Sequence, residues 1–357
     1  MRLRSHSWVL SCAAALFLAS NASAADLKMV SVDLEGGAAT IYLTPEGQSL
    51  LVDSGSPPGP ASTMSTTDDS ARIVAAAKKL GITRFNYFLI THYHRDHIGG
   101  LGALIEKMPV ENILDHGVTR EEGPAAEATY AAYLKAIEGR PRRSLKAGDV
   151  VKIGSLTLDV VISDGVPIAQ ARPGAGAANP ACAGSTDNSD YIKLGEENPR
   201  SVGVLFTYGV TRILSLGDLT WNKERELYCP IDKVGPVDIL LPGHHGITVF
   251  RDLVLSNSPF AVAAQDPLVV VMGNGPVKGG GPEILARFKK SPRLQGFWPA
   301  HQTAMDAKEG ELLDYTANLL VGQDGFATAV TVSDTGQITV TNERNGFGKT
   351  YRARLHK

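Results

Sequence analysis

The stretch Thr91–Gly100, THYHRDHIGG, puts three histidines and an aspartate into six consecutive positions, His92 to His97, in a chain whose 357 residues include only nine histidines. An apolar run, FNYFLI, leads into it, and Gly99-Gly100 close it. Side chains alternate along a strand, so His92 and His94 point to one side, and Asp96 and His97 follow as the chain turns. Imidazoles and a carboxylate converging at one strand end suit a divalent cation: zinc first, with manganese or iron as alternatives. A polar, solvated turn would need neither the apolar strand before it nor the glycine pair after it. Comparable groups recur downstream. VDSG carries Asp53, LSLGDLT carries Asp218, and LLPGHHG carries His244 and His245, each after an apolar run.

Those runs are the elements that must position the chemistry. KMVSVDLEGGAATIYLTPEGQSLLVDSG reads as three strands separated by two turns, and ARIVAAAKKLG as a helix capped by Asp69 or Ser70 with Gly81 past its end. GLGALIEKM is a second helix, NILDHG a strand, and SVGVLFTYG with TRILSLGD a strand pair around a Tyr-Gly turn. VDILLPGHHG and PLVVVMGNG add two more buried strands. Residues 165–200, rich in Gly, Ala, Pro and Asn, form a long surface excursion. Strands interleave with helices and no repeat is evident, which predicts one α/β domain over 25–357.

The first 24 residues read differently. Arg2 and Arg4 precede the apolar run Trp8–Ala19 and a small-residue site, so a signal peptide cleaved after Ala24 is expected. Its removal leaves 33 of the 35 basic residues against 37 acidic ones, a net charge of −4. That balance argues against stable nucleic-acid binding, which rests on many phosphate contacts. No later stretch is long and apolar enough to cross a bilayer, so a periplasmic or secreted protein is expected, with a small-molecule or cell-envelope substrate. Cys182 and Cys229 remain after cleavage; they either pair in the oxidising compartment or stay as two buried thiols.

His92-x-His94-x-Asp96-His97-x-Gly99-Gly100 is the H-x-H-x-D-H-x-G-G signature, and here the sequence resembles the metallo-β-lactamase-fold superfamily. VDSG, LSLGDLT and LLPGHHG match in order, and the resemblance spans about Leu27 to His301. It implies an αββα sandwich with two divalent metal ions along one edge. It further implies that Asp53 supports a ligand histidine, that Asp218 bridges the metals, and that one of His244 and His245 is a ligand while the other meets substrate or a proton in transfer. Candidate ligands are then His92, His94, Asp96, His97, Asp218, His244 and His245, with Asp96, Asp218 and His245 central to catalysis. Two metals so held would carry a hydroxide with its pKa brought towards neutrality.

The histidine inventory selects a branch. β-Lactamases and glyoxalase II-like thioesterases complete their first metal site with a histidine between the signature and the bridging aspartate. This chain offers only His116 there, too early to serve, so His116 reads as a supporting residue. The order Asn198-x-x-Ser201, Gly-Asp218, His-His-Gly is similar to the hydrolase domain of the DNA-uptake competence protein and to phosphorylcholine esterases. That likeness implies phosphoester or phosphodiester hydrolysis, with Asn198 and Ser201 near substrate. Departures from it are Leu34-Glu35-Gly36, the isoleucine of HHGI and the missing membrane channel. Lys278, set among glycines, and His301, after FWPA, are further candidates for the substrate pocket. Alternatives kept open are hydrolysis of a carboxylic ester, lactone or β-lactam, mononuclear iron redox chemistry, and a metal-stabilised binding module.

Overall fold

A computed structural model of the protein describes residues 26–58, 68–184, 197–250, 253–303, 312–319 and 325–354. The expected signal peptide lies outside them.

The chain folds into two sheets packed face to face. One runs, in spatial order, Gly348–Arg352, Gln337–Asn342, Thr328–Val332, Leu27–Ser31, Thr40–Leu43, Ser49–Val52, Phe85–Leu89, Val110–Asp115 and Arg142–Ser144. The other runs Gly296–Pro299, Val269–Met272, Ile239–Leu241, Thr211–Ser215, Gly203–Tyr208, Leu156–Ser163 and Val150–Ile153, with Val166–Pro167 appended to Leu156–Ser163. Period-two alternation decides which face each residue covers. Leu50 and Val52 point between the sheets while Leu51 points out; Val204 and Phe206 point in, Leu205 out; Val269 and Val271 point in, Val270 and Met272 out. The outward residues of the first sheet meet Ile73, Val74, Leu101, Leu104 and Tyr133 of its helices, and those of the second meet Leu227, Phe260, Ile284 and Phe288. Three stacked apolar layers therefore produce the expected αββα sandwich as one domain.

Two details correct the reading of the sequence. The first helix spans Asp69–Lys79, and its cap is Asp68, whose side chain accepts from the Ala71 N–H at 3.1 Å. Asp69 is engaged elsewhere, accepting from the Ser56 N–H at 2.7 Å. The chain also ends in an antiparallel meander, Thr328–Arg352, that extends the first sheet beside Leu27–Ser31, instead of in interleaved strands and helices. In the described part of the long excursion, Asn179 donates to the carbonyls of Tyr228 (3.1 Å) and Phe260 (2.9 Å), and Cys182 is joined to Cys229 by a disulfide. The paired-cysteine expectation, rather than two thiols, is what the structure has.

Candidate metal centre

Both sheets contain a parallel segment: Ser49–Val52, Phe85–Leu89 and Val110–Asp115 in one, Thr211–Ser215, Ile239–Leu241 and Val269–Met272 in the other. Side chains beyond the carboxyl ends of such strands meet at one edge of the sheet, where α/β folds hold ligands. Asp53, His92, Asp218, and His244-His245 each follow one of these strands.

Asp53, in the left-handed region at φ 59°, accepts from the Thr91 N–H and hydroxyl, both at 2.8 Å, and from His97 Nδ1 at 2.8 Å. This fixes the His97 ring with Nε2 turned towards the edge, the support a carboxylate gives a ligating histidine. His245 is fixed in the same way by donating from Nδ1 to the Gly273 carbonyl at 3.1 Å. The two Nε2 atoms then face each other at 3.3 Å, with Asp96 Oδ2 3.5 Å from His97 and 3.2 Å from His245. Asp218 Oδ2 lies 3.3 Å from His97 Nε2 and 3.7 Å from His245 Nε2. Asp96, His97, Asp218 and His245 can each offer an atom within 4.8 Å of all the others. With both Nδ1 atoms donating, two imidazole nitrogens and two carboxylates converge on one point, an arrangement that suits a divalent cation.

Burial opposes a charge on His97, but Asp218, Asp96 and Asp53 outweigh it and hold the ring well above the ordinary imidazole range. Reciprocally, and again against burial, Lys278, His97 and His245 hold Asp96 well below the carboxylate range, as His97, His244 and His245 do for Asp218.

A second group forms beside the first. His92 Nε2 faces His94 Nδ1 at 3.1 Å and stands 3.9 Å from Asp218 Oδ2. Burial, then the charge of His97, keeps His92 well below the usual range, which leaves its nitrogen free to ligate. His94 Nε2 is 3.2 Å from Glu121 Oε2, so its Nδ1 is the nitrogen presented. Asp218 Oδ2 thus sits between the two groups. Of the histidine pair, His245 belongs to the first group. His244 Nε2 lies 3.5 Å from Asp218 Oδ2, and burial lowers its pKa to about 4. Both occupy the left-handed region, at φ 52° and 55°, which turns consecutive rings to the same edge.

Lys278 reaches the site: its ammonium pairs with Asp96 Oδ2 and donates to the Gly36 carbonyl at 3.1 Å. Of the other pocket candidates, Ser201 is fully buried and its Oγ accepts from the Asp218 N–H at 3.1 Å, so it holds the aspartate's backbone. Asn198 is buried as well, and His301 is buried with Nε2 2.6 Å from Asp33 Oδ1. His116 places Nε2 on Glu197 Oε2 at 3.0 Å.

Glu197 and Glu121 are the residues that sequence reasoning missed. Glu197 is 1% exposed and takes the Tyr93 N–H (3.0 Å), His116 Nε2 and the Thr119 hydroxyl, tying the strand end between His92 and His94 to two loops. Both glutamates stand in acidic runs, EEN and REEG, that read as solvated surface.

A family model described as the metallo-beta-lactamase superfamily matches residues 34–249. The chain belongs to that superfamily. Membership makes it a metallo-hydrolase by class, and the superfamily usually binds divalent metals at the edge where the His/Asp cluster lies. Similar solved structures include the metallo-beta-lactamase fold protein YhfI from Bacillus subtilis, 11% identical, with 76% of this chain and 96% of that one covered at a TM-score of 0.45. CmlA, a diiron beta-hydroxylase from Streptomyces venezuelae, is 17% identical, with 70% and 45% covered at 0.40. A diphosphatase from the PhnP family is 13% identical, with 70% and 87% covered at 0.39. No curated protein matches the chain.

Proposed function

We propose that the protein is an exported dinuclear metal-dependent hydrolase that cleaves a phosphodiester. The observation that carries this reading is Asp218 Oδ2, standing within 3.9 Å of Nε2 on His92, His97, His244 and His245, one oxygen shared between two ligand groups. In this reading Asp96, His97 and His245 would hold one divalent ion and His92 and His94 the other, with Asp218 available to both. Zinc suits the donor set, and manganese or iron share it. Such ions supply Lewis-acid polarisation and a water of lowered pKa.

The chain's own residues do the rest. Asp53, Gly273 and Glu121 orient the ligand rings, so each presents one fixed nitrogen. Lys278 places a cation beside Asp96, where it would hold an anionic substrate oxygen. His244, which burial keeps unprotonated beside Asp218, would serve as a proton acceptor or a further ligand. The preference for a phosphodiester over a carboxylic ester or β-lactam follows from the missing middle histidine, since His116 is committed to Glu197. The competence-protein and phosphorylcholine-esterase resemblance supports the same branch. Export is supported by the leader-like N-terminus and by the Cys182–Cys229 disulfide.

The test is hydrolysis of bis(4-nitrophenyl) phosphate by the protein loaded with zinc or manganese, with Asp218→Asn as control. Metal-dependent turnover that the substitution abolishes is expected. A protein carrying two metals that leaves the diester intact, yet opens lactones or β-lactams, overturns the substrate assignment.

A further inference from the structure

Two consecutive non-glycine residues, His244 and His245, sit in the left-handed region, and a third, Asn257, joins them at φ 57°. Such backbone is unfavourable for a residue with a Cβ and persists only where the surroundings over-determine it. Here the surroundings are the segment Leu255–Ser258, in which Ser256, Asn257 and Ser258 are all buried.

Asn257 grips both ends of the histidine turn. Its Oδ1 accepts from the Gly243 N–H at 3.1 Å, and its Nδ2 donates to the carbonyls of Gly243 (2.8 Å) and Ile247 (3.2 Å). Gly243 precedes His244 and Ile247 follows Gly246, so one side-chain amide brackets the pair. The same segment holds the turn that carries Asp218. Ser256 Oγ donates to the Leu219 carbonyl at 2.6 Å, and the Leu255 carbonyl accepts from the Trp221 N–H at 2.8 Å. The His244 N–H donates to the Gly217 carbonyl at 3.1 Å and joins the two turns directly. Asn257 is fixed in its place by Glu224, on the helix Trp221–Tyr228, which accepts from the N–H groups of Asn257 (2.7 Å) and Ser258 (2.8 Å). Burying a carboxylate is costly unless hydrogen bonds compensate, and both oxygens of this buried one are used on the one segment.

We infer that Asn257 is a positioning residue of the metal centre. It holds His244 and His245 in the left-handed pair that brings both rings within 3.7 Å of Asp218 Oδ2, while Ser256 and Glu224 lock it to the Asp218 turn. One buried segment thereby sets the spacing between the carboxylate available to both ions and the histidine offered to one of them. The inference rests on the dinuclear reading of the site and is independent of which ester the site cleaves.

Cobalt(II) titration of the metal-stripped protein, read by d–d absorption and by competition with a chelator, tests it in wild type, Asn257→Gly, His245→Ala and Asn179→Gly. Glycine at position 257 keeps the left-handed backbone and removes the amide. Asn179 is the control, since it too is buried with an amide donating to two carbonyls, those of Tyr228 and Phe260, neither of them on a ligand turn. Wild type should take up two ions. Asn257→Gly should weaken one of them about tenfold to a hundredfold, the same ion that His245→Ala releases, and leave the other unchanged. Asn179→Gly should lower unfolding stability yet bind both ions as wild type does. Glu224→Gln, which retains one of the two N–H bonds, should weaken the same ion and serves as the second variant should Asn257→Gly fail to fold. Wild-type affinity for both ions in Asn257→Gly, or equal losses in Asn257→Gly and Asn179→Gly, overturns the inference and leaves the dinuclear reading standing. A wild type that takes up fewer than two ions overturns the dinuclear reading and this inference together.

Discussion

Replacing Glu197 isolates the contribution of a buried carboxylate to the strand end that carries His92 and His94. Its Oε2 accepts from the Tyr93 N–H and His116 Nε2, each at 3.0 Å, and its Oε1 from Thr119 Oγ1. In Glu197→Ala the Tyr93 and His116 donors stay buried without an acceptor. At about 1–3 kcal/mol for each of the two stranded donors, the loss is about 2–6 kcal/mol, a large share of a typical domain's stability. Glu197→Gln can turn its amide nitrogen to Thr119, whose hydroxyl can accept, and keep its oxygen on Tyr93 and His116. Only the charge is lost, for about 1–2 kcal/mol. Equilibrium urea unfolding of the two variants should therefore rank Ala well below Gln, and both should bind metal more weakly. The pH dependence follows from the direction of the shift. Burial raises the Glu197 pKa, but the bonds from His116, Thr119 and Tyr93 outweigh it and lower the folded value. The stability it confers is complete above the unfolded carboxylate pKa and disappears as pH falls through the folded one. The gap between wild type and Glu197→Gln should thus be widest near neutrality and close below about pH 4. An alanine variant within about 0.5 kcal/mol of wild type, or a gap that widens in acid, refutes the reasoning.

Three further outcomes are expected. Gly217, at φ 57°, would place a Cβ 2.8 Å from Thr91 Cβ, so Gly217→Ala should lower unfolding stability by about 2–3 kcal/mol and displace Asp218, read by calorimetric Tm and metal content. Cys182→Ser with Cys229→Ser opens a link across 47 residues, and loop-closure entropy sets the expected loss at about 4 kcal/mol in denaturant titration. Lys278→Met removes the cation on Asp96; kcat/KM for an anionic diester should fall about tenfold to a hundredfold while bound metal is retained, measured by steady-state kinetics and elemental analysis.

Much of the site was legible because its chemistry is local. His92, His94, Asp96 and His97 sit within one turn-forming stretch, and the strands that deliver Asp53, Asp218 and His245 announce themselves as apolar runs. The meander Thr328–Arg352 had a readable alternation too, Val330 and Val332 inward and then Ile338 and Val340, but its place beside Leu27–Ser31 is a pairing across some 300 residues that no local pattern encodes. Ser201 and His301 were legible by type but not by partner: burial sets one on the Asp218 backbone and the other against Asp33. Glu197 and Glu121 failed in the opposite direction, since a glutamate in an acidic run looks solvated until the fold buries it or sets it against a histidine.

The central claim is that Asp218 joins two metal ions into one working centre. The most direct measurement is the metal content of the purified protein by elemental mass spectrometry, taken with bis(4-nitrophenyl) phosphate turnover on the same samples, for wild type and Asp218→Asn. Two divalent ions per chain with turnover in wild type, and loss of at least one ion together with the activity in the variant, are predicted. A wild-type protein that holds no more than one ion while turning over, or an Asp218→Asn protein that keeps both ions and full activity, contradicts the account.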